Sequence, residues 1–324
     1  MATARTWRTH HQADGPQAAR IDDIGGLNQV FSDAFSERYR RDGMVGVRVP
    51  FLNPAIWRYA IEDANGGALV WRDERDDIVA FNIAHCSGIE GWMGPLAVRP
   101  DWQGAGLGKE IVRGGVAWLR AARAGTIGLE TMPRTMDNIG FYSALGFVPG
   151  RLTITLTLEA GLLGNGPNLL GRLSPRDKDD AIDECRTLTN RLAPGFDFTR
   201  EIALTDQLAL GDTVLLRDRN RLTGFALCHT APLVEGRVRE EMRVLKLALE
   251  REQDLPRLAE TLGDYARRSG TRRVALRVQT EFLGAYQRLI ELGARVRWTD
   301  LRMTLADMPE RPPQRGVVWS NWEI

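Results

Sequence analysis

Cysteine, histidine and long apolar runs are scarce in this sequence, and each shortage excludes a class of protein. The 324 residues include three cysteines, an odd number at distant positions, so no disulfide framework is expected. We expect Cys86, Cys185 and Cys228 to be buried, inert thiols. The four histidines show no ligand spacing, so no metal site is predicted.

The sequence also lacks segments that direct a chain into or across a membrane. It has no run of about 18 apolar residues. Residues 1–17 have no apolar stretch of the kind found in a secretory signal. A cytoplasmic location is therefore expected.

Neither sign of charge dominates the chain. The 43 basic and 42 acidic residues leave a formal net charge of +1, so neither a nucleic acid nor an anionic membrane is an expected partner. With 43% hydrophobic and 26% charged residues, the composition is typical of a globular protein. A usual domain size of about 150 residues predicts two domains.

Apolar periodicity in the first half predicts both helices and strands. Helices are expected over residues 24–40, 54–62, 107–123 and 139–145. Strands are expected over residues 68–71, 78–85, 92–98, 126–130 and 151–158. Because strands alternate with helices in the later part, the order predicts a mixed α/β layer.

The second half repeats this plan. Leu216-Arg217-Asp218 resembles Trp71-Arg72-Asp73, and the residues before His229 resemble those before His85. The offsets are 145 residues from Arg72 to Arg217, 144 from His85 to His229 and 147 from Gly146 to Gly293. So small a drift predicts a duplication. The alternative is two unrelated α/β domains that share common strand patterns.

Glycine and proline mark the expected domain boundaries. We predict a first domain over residues 1–160, a linker over 161–167, a second domain over 168–307 and a tail over 308–324. The tail contains three prolines, Trp319 and Trp322. We expect the tryptophans to pack on the same chain or on a partner subunit.

One loop has glycine at every second position, between the strand that ends near Val98 and the next helix. It reads Gln103-Gly104-Ala105-Gly106-Leu107-Gly108-Lys109. Glycine lets successive backbone N–H groups converge on an anion, and the helix N-terminus adds its unpaired donors. The loop is therefore predicted to bind a pyrophosphate.

Three kinds of phosphate loop differ in the residues they require. A Walker A loop needs Ser or Thr after Gly-Lys, where this chain has Glu110. A dinucleotide loop needs a third glycine where Lys109 stands. The pattern Gln/Arg-x-x-Gly-x-Gly/Ala fits without a mismatch, directly after Val98-x-Pro100.

This loop resembles motif A of the GCN5-related N-acetyltransferase (GNAT) family, and Asn138–Phe147 resembles motif B. The resemblance covers residues 21–159. Together with the repeat, it implies an α/β fold of two tandem GNAT-like domains, each a mixed, largely antiparallel twisted sheet flanked by helices. It also implies acetyl-CoA as co-substrate, with the main chain of Leu96, Ala97 and Val98 pairing with the pantetheine arm and residues 103–109 holding the pyrophosphate.

The same resemblance makes Tyr142, four residues before Gly146, the candidate general acid. The leaving group is a thiolate, and a phenol with an ordinary pKa of about 10 stays protonated at neutral pH. The alternative is an aromatic residue that only packs. The family often has Asn seven residues earlier, where this chain has Thr135, and we expect Asn138 to take over that contact with the cofactor.

A base must also accept a proton from the amine. Alternate residues of a strand share a face, which places Glu90 with Trp92 if the strand extends that far. Glu90 is the first candidate and Glu130, on the next strand, is the second, acting directly or through a water; a salt-bridged carboxylate is the alternative for each. His85 is expected to be a hydrogen-bonded core residue, since His229 repeats it.

The second copy lacks this chemistry. Residues 237–262 contain no glycine, the strand at 243–249 is followed by a charged stretch, and Leu289 stands where the first copy has Tyr142. We expect a degenerate copy that binds no cofactor and either forms a wall of the substrate cleft or stabilises the first copy.

These features predict an N-acetyltransferase that transfers acetyl directly from acetyl-CoA to a primary amine in a ternary complex. The amine acceptor is a small molecule or a protein. The alternative is a non-catalytic acyl-CoA-binding module that regulates a partner. Arg48–Pro54 is expected to line the acceptor pocket, and a homodimer is compatible with the sequence.

Overall fold

The structure is a computed structural model that describes residues 12–161 and 166–322; His10, His11 and part of the predicted linker lie outside these ranges. Its helices are α1 (Ile24–Arg41), α2 (Pro54–Ala64), α3 (Leu107–Ala121), α4 (Met136–Ser143), α5 (Pro175–Leu192), α6 (Thr199–Gln207), α7 (Leu255–Arg268) and α8 (Leu283–Glu291). Its strands are β1 (Asp14–Ala18), β2 (Ala68–Arg72), β3 (Ile78–Ser87), β4 (Glu90–Val98), β5 (Thr126–Thr131), β6 (Phe147–Glu159), β7 (Gly211–Asp218), β8 (Arg221–His229), β9 (Glu241–Leu249), β10 (Arg273–Gln279), β11 (Arg295–Leu305) and β12 (Val317–Ser320).

Local sequence accounts for the bounds of the first two helices. α2 begins where the Asn53 side chain accepts a hydrogen bond from the Ala55 N–H, with Pro54 in the first turn, and it ends at Asn65 in the left-handed conformation. α1 buries Leu27, Val30 and Phe31 on one face, as its periodicity predicts.

The structure confirms every helix and strand predicted in the first half. The largest differences are at β6, which begins four residues before the predicted position, and at α4, which begins three residues early and ends two residues early. The sequence does not predict β1, because Asp14–Ala18 contains glycine and proline and has no apolar alternation.

All described strands form one sheet, in the order β1-β2-β3-β4-β5-β11-β6-β10-β9-β8-β7, with β12 paired to β9. The last long strands of the two halves are exchanged. β11 of the second half pairs with β5 of the first half, and β6 of the first half pairs with β10 of the second. β6 and β11 pair with each other in antiparallel register, so the two halves are joined by continuous main-chain hydrogen bonds.

The two halves repeat the same local geometry. The β3–β4 pair has a bulge just beyond the pair His85–Trp92, and the β8–β9 pair has a bulge just beyond His229–Arg243. Counted from the two histidines, Leu96 on β4 corresponds to Leu247 on β9. The predicted succession of elements is therefore present twice.

The corresponding strands β4 and β9 of the two halves differ in which strands lie beside them. β9 pairs with β10 only at Glu241–Arg243, and beyond that point Lys246–Leu249 pairs with Val317–Ser320 of β12. Asn321 extends this contact, because its N–H donates to the Leu245 carbonyl (2.8 Å) and its Nδ2 donates to the Arg277 carbonyl on β10 (3.2 Å). β12 thus fills the space between β9 and β10.

Two further properties follow from the described residues. No helix among them is long and apolar enough to cross a lipid bilayer. Cys86, Cys185 and Cys228 are buried free thiols, as predicted, and burial raises the pKa of Cys86 to about 11.

Candidate active site

The glycine loop turns through backbone conformations that favour glycine. Gly104 (φ +83°) and Gly106 (φ +97°) are left-handed, and Gly106 is the N-cap of α3. The Lys109 N–H donates to the Gly106 carbonyl (2.9 Å), which starts the helix directly after the turn. A helix N-terminus presented by such a turn suits an anion.

α3 lies close to the sheet, and this fixes where its N-terminus points. A Cβ on Gly115 would lie 2.3 Å from Asn82 Nδ2, so only glycine permits this approach. The fully buried Asn82 donates from Nδ2 to the Ile111 carbonyl (2.9 Å). Glu110 accepts a hydrogen bond from Trp71 Nε1 (2.8 Å), which restrains its carboxylate.

β4 has an open main-chain edge beside the loop. It pairs with β5 over Glu90–Met93, and no strand in the described ranges pairs with the same edge over Leu96–Val98. Gln103 joins this edge to the loop, since its Nε2 donates to the Val98 carbonyl (2.9 Å) and its Oε1 accepts from Arg41 (3.1 Å).

A cavity of about 230 Å³, the loop cavity, runs along this edge. It brings together Leu96, Ala97, Val98, Gln103, Gly108, Asn138 and Tyr142 of the predicted site, and α1 adds Phe35, Arg38 and Arg41. Ala105, Gly106 and Leu107 line a separate cavity on the other side of the turn. Lys109 is exposed and lines neither cavity.

A second cavity of about 340 Å³, the aromatic cavity, shares Phe35, Leu96, Met132, Asn138 and Tyr142 with the loop cavity. Its other lining residues are Tyr39, Trp92, Met93, Gly94, Glu130, Thr131, Arg277, Trp298, Asp300 and Trp322. Three of these come from β10 and β11, and one comes from the segment after β12. The aromatic cavity is therefore built by both halves of the chain.

Tyr142 lies where the two cavities meet. It is in the last turn of α4, 7% exposed, with its ring packed against Phe141 and Phe147. Burial raises the pKa of the Tyr142 phenol well above its ordinary value, so the hydroxyl stays protonated across the physiological range. Asn138, one turn earlier, donates to Thr131 Oγ1 (3.4 Å) and lines both cavities.

Glu130 lines the aromatic cavity but is held in an ion-pair network. It accepts hydrogen bonds from Thr153 (2.6 Å), Arg302 (3.0 Å) and Arg277. Burial alone would raise the pKa of Glu130, but the guanidinium groups of Arg277 and Arg302 outweigh it and lower that pKa. Glu130 is therefore a salt-bridged carboxylate, which is the alternative to a catalytic base at this position.

Glu90 lies behind Trp92 and lines neither cavity. It is 3% exposed and accepts a hydrogen bond from Trp92 Nε1 (3.0 Å), with Arg302 3.9 Å away. Burial raises the pKa of Glu90, against the attraction of Lys246 and Arg302. The structure thus does not bring Glu90 together with Tyr142, and its role as base stays a prediction.

Two other expectations have clear structural outcomes. His85 is a buried core residue whose Nδ1 lies 2.8 Å from Asp63 Oδ2, as predicted.

The segment Arg48–Pro54, expected to line the acceptor pocket, instead contacts the second half. Leu52 forms a bridge with Val234, and the Asn53 N–H donates to the Leu233 carbonyl (2.9 Å). The aromatic cavity contains no residue of Arg48–Pro54.

Sequence reasoning missed the residues from the second half, Arg277, Trp298, Asp300 and Trp322. Trp298 donates from Nε1 to Asp300 Oδ1 (3.0 Å), and Arg277 donates to Asp300 Oδ2 (3.1 Å). Alternation along β11 places Trp298, Asp300 and Arg302 on one face, a signal present in the sequence. The pairing of β11 with β5, which makes that face part of this site, is not local.

Comparison with known proteins finds one family model that matches part of this chain. Residues 29–147 match the family model described as "Acetyltransferase (GNAT) family". An uncharacterised N-acetyltransferase, ycf52 of Pyropia yezoensis, is 33% identical over 78 residues, which are 24% of this chain and 43% of that protein. The match thus spans less than half the length of that curated relative.

Solved structures match nearly the whole chain. A structure described as an acetyltransferase from Pyrococcus horikoshii has a TM-score of 0.67 at 16% identity, covering 99% of this chain and 98% of that one. A tandem GNAT protein from the clavulanic acid biosynthesis pathway has a TM-score of 0.58 at 14% identity, covering 91% and 98%. At these identities the likeness shows the fold. The chain therefore has the fold of two tandem GNAT-like domains, and residues 29–147 match the GNAT family model.

Proposed function

We propose that the chain is an acetyl-CoA-dependent N-acetyltransferase that acts on a primary amine by direct transfer in a ternary complex. One observation supports this most: the open edge of β4, the start of α3 and Tyr142 line a single cavity. The family match independently favours acyl transfer.

In this proposal the first half binds acetyl-CoA through its main chain. The turn at Gly104 and Gly106 directs the α3 N-terminus at the pyrophosphate, and Arg41 lies beside the same cavity as a source of positive charge. The edge of Leu96–Val98 accepts the pantetheine arm as an added strand would. Bound acetyl-CoA supplies the thioester that is cleaved.

The reaction needs one bond made, one bond broken and two proton movements. The amine nitrogen bonds to the acetyl carbon as the C–S bond breaks, and the Tyr142 hydroxyl donates its proton to the leaving sulfur. The amine gives up a proton in turn, and this proton restores the Tyr142 hydroxyl. The raised pKa of Tyr142 suits the donor role, because the phenol is protonated before transfer.

We further propose that the second copy is degenerate and binds no acetyl-CoA. The main-chain edge of β9 that corresponds to Leu96–Val98 is already paired with β12. Leu289, at the position of Tyr142, is fully buried in the core. The carboxylate that follows β9, Glu250, is paired with Arg191 and Arg221.

Isothermal titration with acetyl-CoA tests both parts of the proposal. We expect one site per chain, and we expect Gly106→Val to remove it, because valine at φ +97° strains the turn that presents α3. The matched control is Gly270→Val. Gly270 is also left-handed (φ +81°), has open space around it and follows α7 in the second half.

Each outcome of this titration has a definite meaning. Loss of binding in Gly106→Val together with retained binding in Gly270→Val supports the loop as the cofactor site. Two sites per chain would contradict a degenerate second copy. No binding by the unmodified chain would reject the acetyltransferase function and leave only the fold.

A further inference from the structure

We infer that the acceptor is a monoamine with an aromatic body, held in the aromatic cavity with its ammonium group at Asp300. This rests on the proposed function, since it places the acceptor beside the acetyl group. It goes further by naming the chemical class of the amine.

The lining of the aromatic cavity determines the body of the acceptor. Six of its 15 lining residues are aromatic, namely Phe35, Tyr39, Trp92, Tyr142, Trp298 and Trp322. Aromatic walls favour stacking with flat or apolar groups. Two of the walls are fixed in place, since the rings of Trp92 and Trp322 lie 5.2 Å apart and Trp322 is covered by Lys246 Nζ at 4.6 Å.

Charge in the same lining determines the head group. Two carboxylates, Glu130 and Asp300, and one guanidinium, Arg277, line the cavity, while Arg302 behind the lining is bonded to Glu130 and not to Asp300. Arg277 is already hydrogen-bonded to both carboxylates. An acceptor that carries its own carboxylate would have to displace one of them, so amino acids are disfavoured relative to simple amines.

Asp300 has more remaining hydrogen-bonding capacity than Glu130. It accepts one bond from Trp298 and one from Arg277, whereas Glu130 accepts three. A carboxylate has about four lone-pair sites. Asp300 is therefore better placed to accept bonds from an ammonium group, and such charge-assisted hydrogen bonds are stronger than neutral ones.

A panel of four amines separates the contribution of the acceptor body from that of its head group. With acetyl-CoA and the full chain, release of free CoA is followed for 2-phenylethylamine, for propylamine, which lacks the ring, and for phenylalanine, which adds a carboxylate. We expect kcat/KM to be highest for 2-phenylethylamine, by about tenfold or more over each of the others. Spermidine is included as a polycationic amine.

Two variants assign the effects to residues. Trp298→Ala removes a wall that is 40% exposed, so the fold is retained. We expect KM for 2-phenylethylamine to rise about tenfold relative to KM for propylamine, because loss of the Trp298–Asp300 hydrogen bond affects both amines alike. Asp300→Asn is expected to lower kcat/KM about tenfold or more with acetyl-CoA affinity unchanged. Asp307→Asn, on the surface beside Arg120, is the matched control.

The outcomes distinguish this inference from the proposed function. If phenylalanine, propylamine or spermidine is acetylated with a kcat/KM equal to that of 2-phenylethylamine, the acceptor class is wrong while N-acetyltransferase activity stands. If Asp300→Asn behaves like Asp307→Asn, the ammonium group is not held at Asp300. If acetyl-CoA binds and none of these amines is acetylated, the inference on the acceptor fails, while the acetyl-CoA site of the proposed function stands.

Discussion

Substitution of Tyr142 distinguishes the chemical step from the binding of acetyl-CoA. Its hydroxyl is protonated at neutral pH and lies where the loop cavity meets the aromatic cavity. We expect Tyr142→Phe to lower kcat by about 10²-fold or more, because a positioned proton donor contributes at least that much. The Kd for acetyl-CoA should stay unchanged, as measured by titration of the same variant.

The control for this experiment is Tyr286→Phe, which removes a phenol from α8 next to the second-half core. It should leave both kcat and Kd as they are. Unchanged turnover in Tyr142→Phe would show that the leaving thiolate obtains its proton elsewhere. Binding of acetyl-CoA without any turnover in the unmodified chain would favour the non-catalytic module.

A second effect at the scale of single residues concerns pH. Burial and the nearby Glu310 raise the pKa of Glu281 from 4.5 to about 6, against the attraction of Arg151. A carboxyl group with a raised pKa binds its proton more tightly in the folded chain. Its contribution to the free energy of unfolding is therefore present below pH 4.5 and is lost as pH rises through 6.

Glu281→Gln tests this sign, since glutamine resembles the protonated acid. Urea unfolding should give equal stability for the two chains near pH 4.5 and a more stable variant above pH 6, by on the order of 1–2 kcal/mol. Glu291→Gln, on the exposed end of α8, should show no such divergence. If the Glu281→Gln variant were less stable than the unmodified chain at pH 7, the ion pair with Arg151 would dominate.

Among the elements, β12 provides the sharpest test of packing. Trp319 is fully buried and packs edge-on against Phe282, with ring centroids 6.5 Å apart. We expect Trp319→Ala to lower the free energy of unfolding by about 3–5 kcal/mol, the usual cost of removing a core tryptophan. Denaturant titration measures it, with the half-exposed Trp298→Ala as the low-cost comparison.

A loss below about 1 kcal/mol would contradict the docking of β12 between β9 and β10. A large loss would agree with β12 as a permanent part of the second-half core. Because Trp322 follows β12 by two residues, the same docking also positions one wall of the aromatic cavity.

Elements were predictable from the sequence where the pattern is long and local. α1 and α3 have many turns of apolar periodicity, and their predicted bounds lie within two residues of the structure. β12 has four residues, and β1 has no alternation, so neither gives a periodic signal. The glycine loop could be recognised from the sequence because its turn requires glycine where φ is positive.

Across the whole molecule, the two cavities differ in how far sequence reasoning reaches. The predicted residues of the loop cavity come from one stretch, Leu96–Tyr142, and the order of motifs located them. The aromatic cavity needs Arg277 and Asp300, more than 130 residues after Tyr142. Asp300 reaches the site because β11 inserts between β5 and β6, and Arg277 because β10 pairs with β6. Long-range pairing of this kind has no local signature.

The strand exchange makes each half depend on the other. A chain of residues 1–161 contains β5 and β6 but lacks β11, whose residues pair with both over Leu301–Thr304 and Arg295–Leu305. We expect this half and the chain of residues 166–324 each to unfold without a cooperative transition and to bind no acetyl-CoA, because unpaired strand edges and apolar faces are left exposed. Refolded together from denaturant, the two halves should bind one acetyl-CoA, with the intact chain refolded in parallel as the reference. If residues 1–161 alone bound acetyl-CoA with the Kd of the intact chain, the exchange would not be needed to build the cofactor site, and the second half would contribute only the wall that holds the amine.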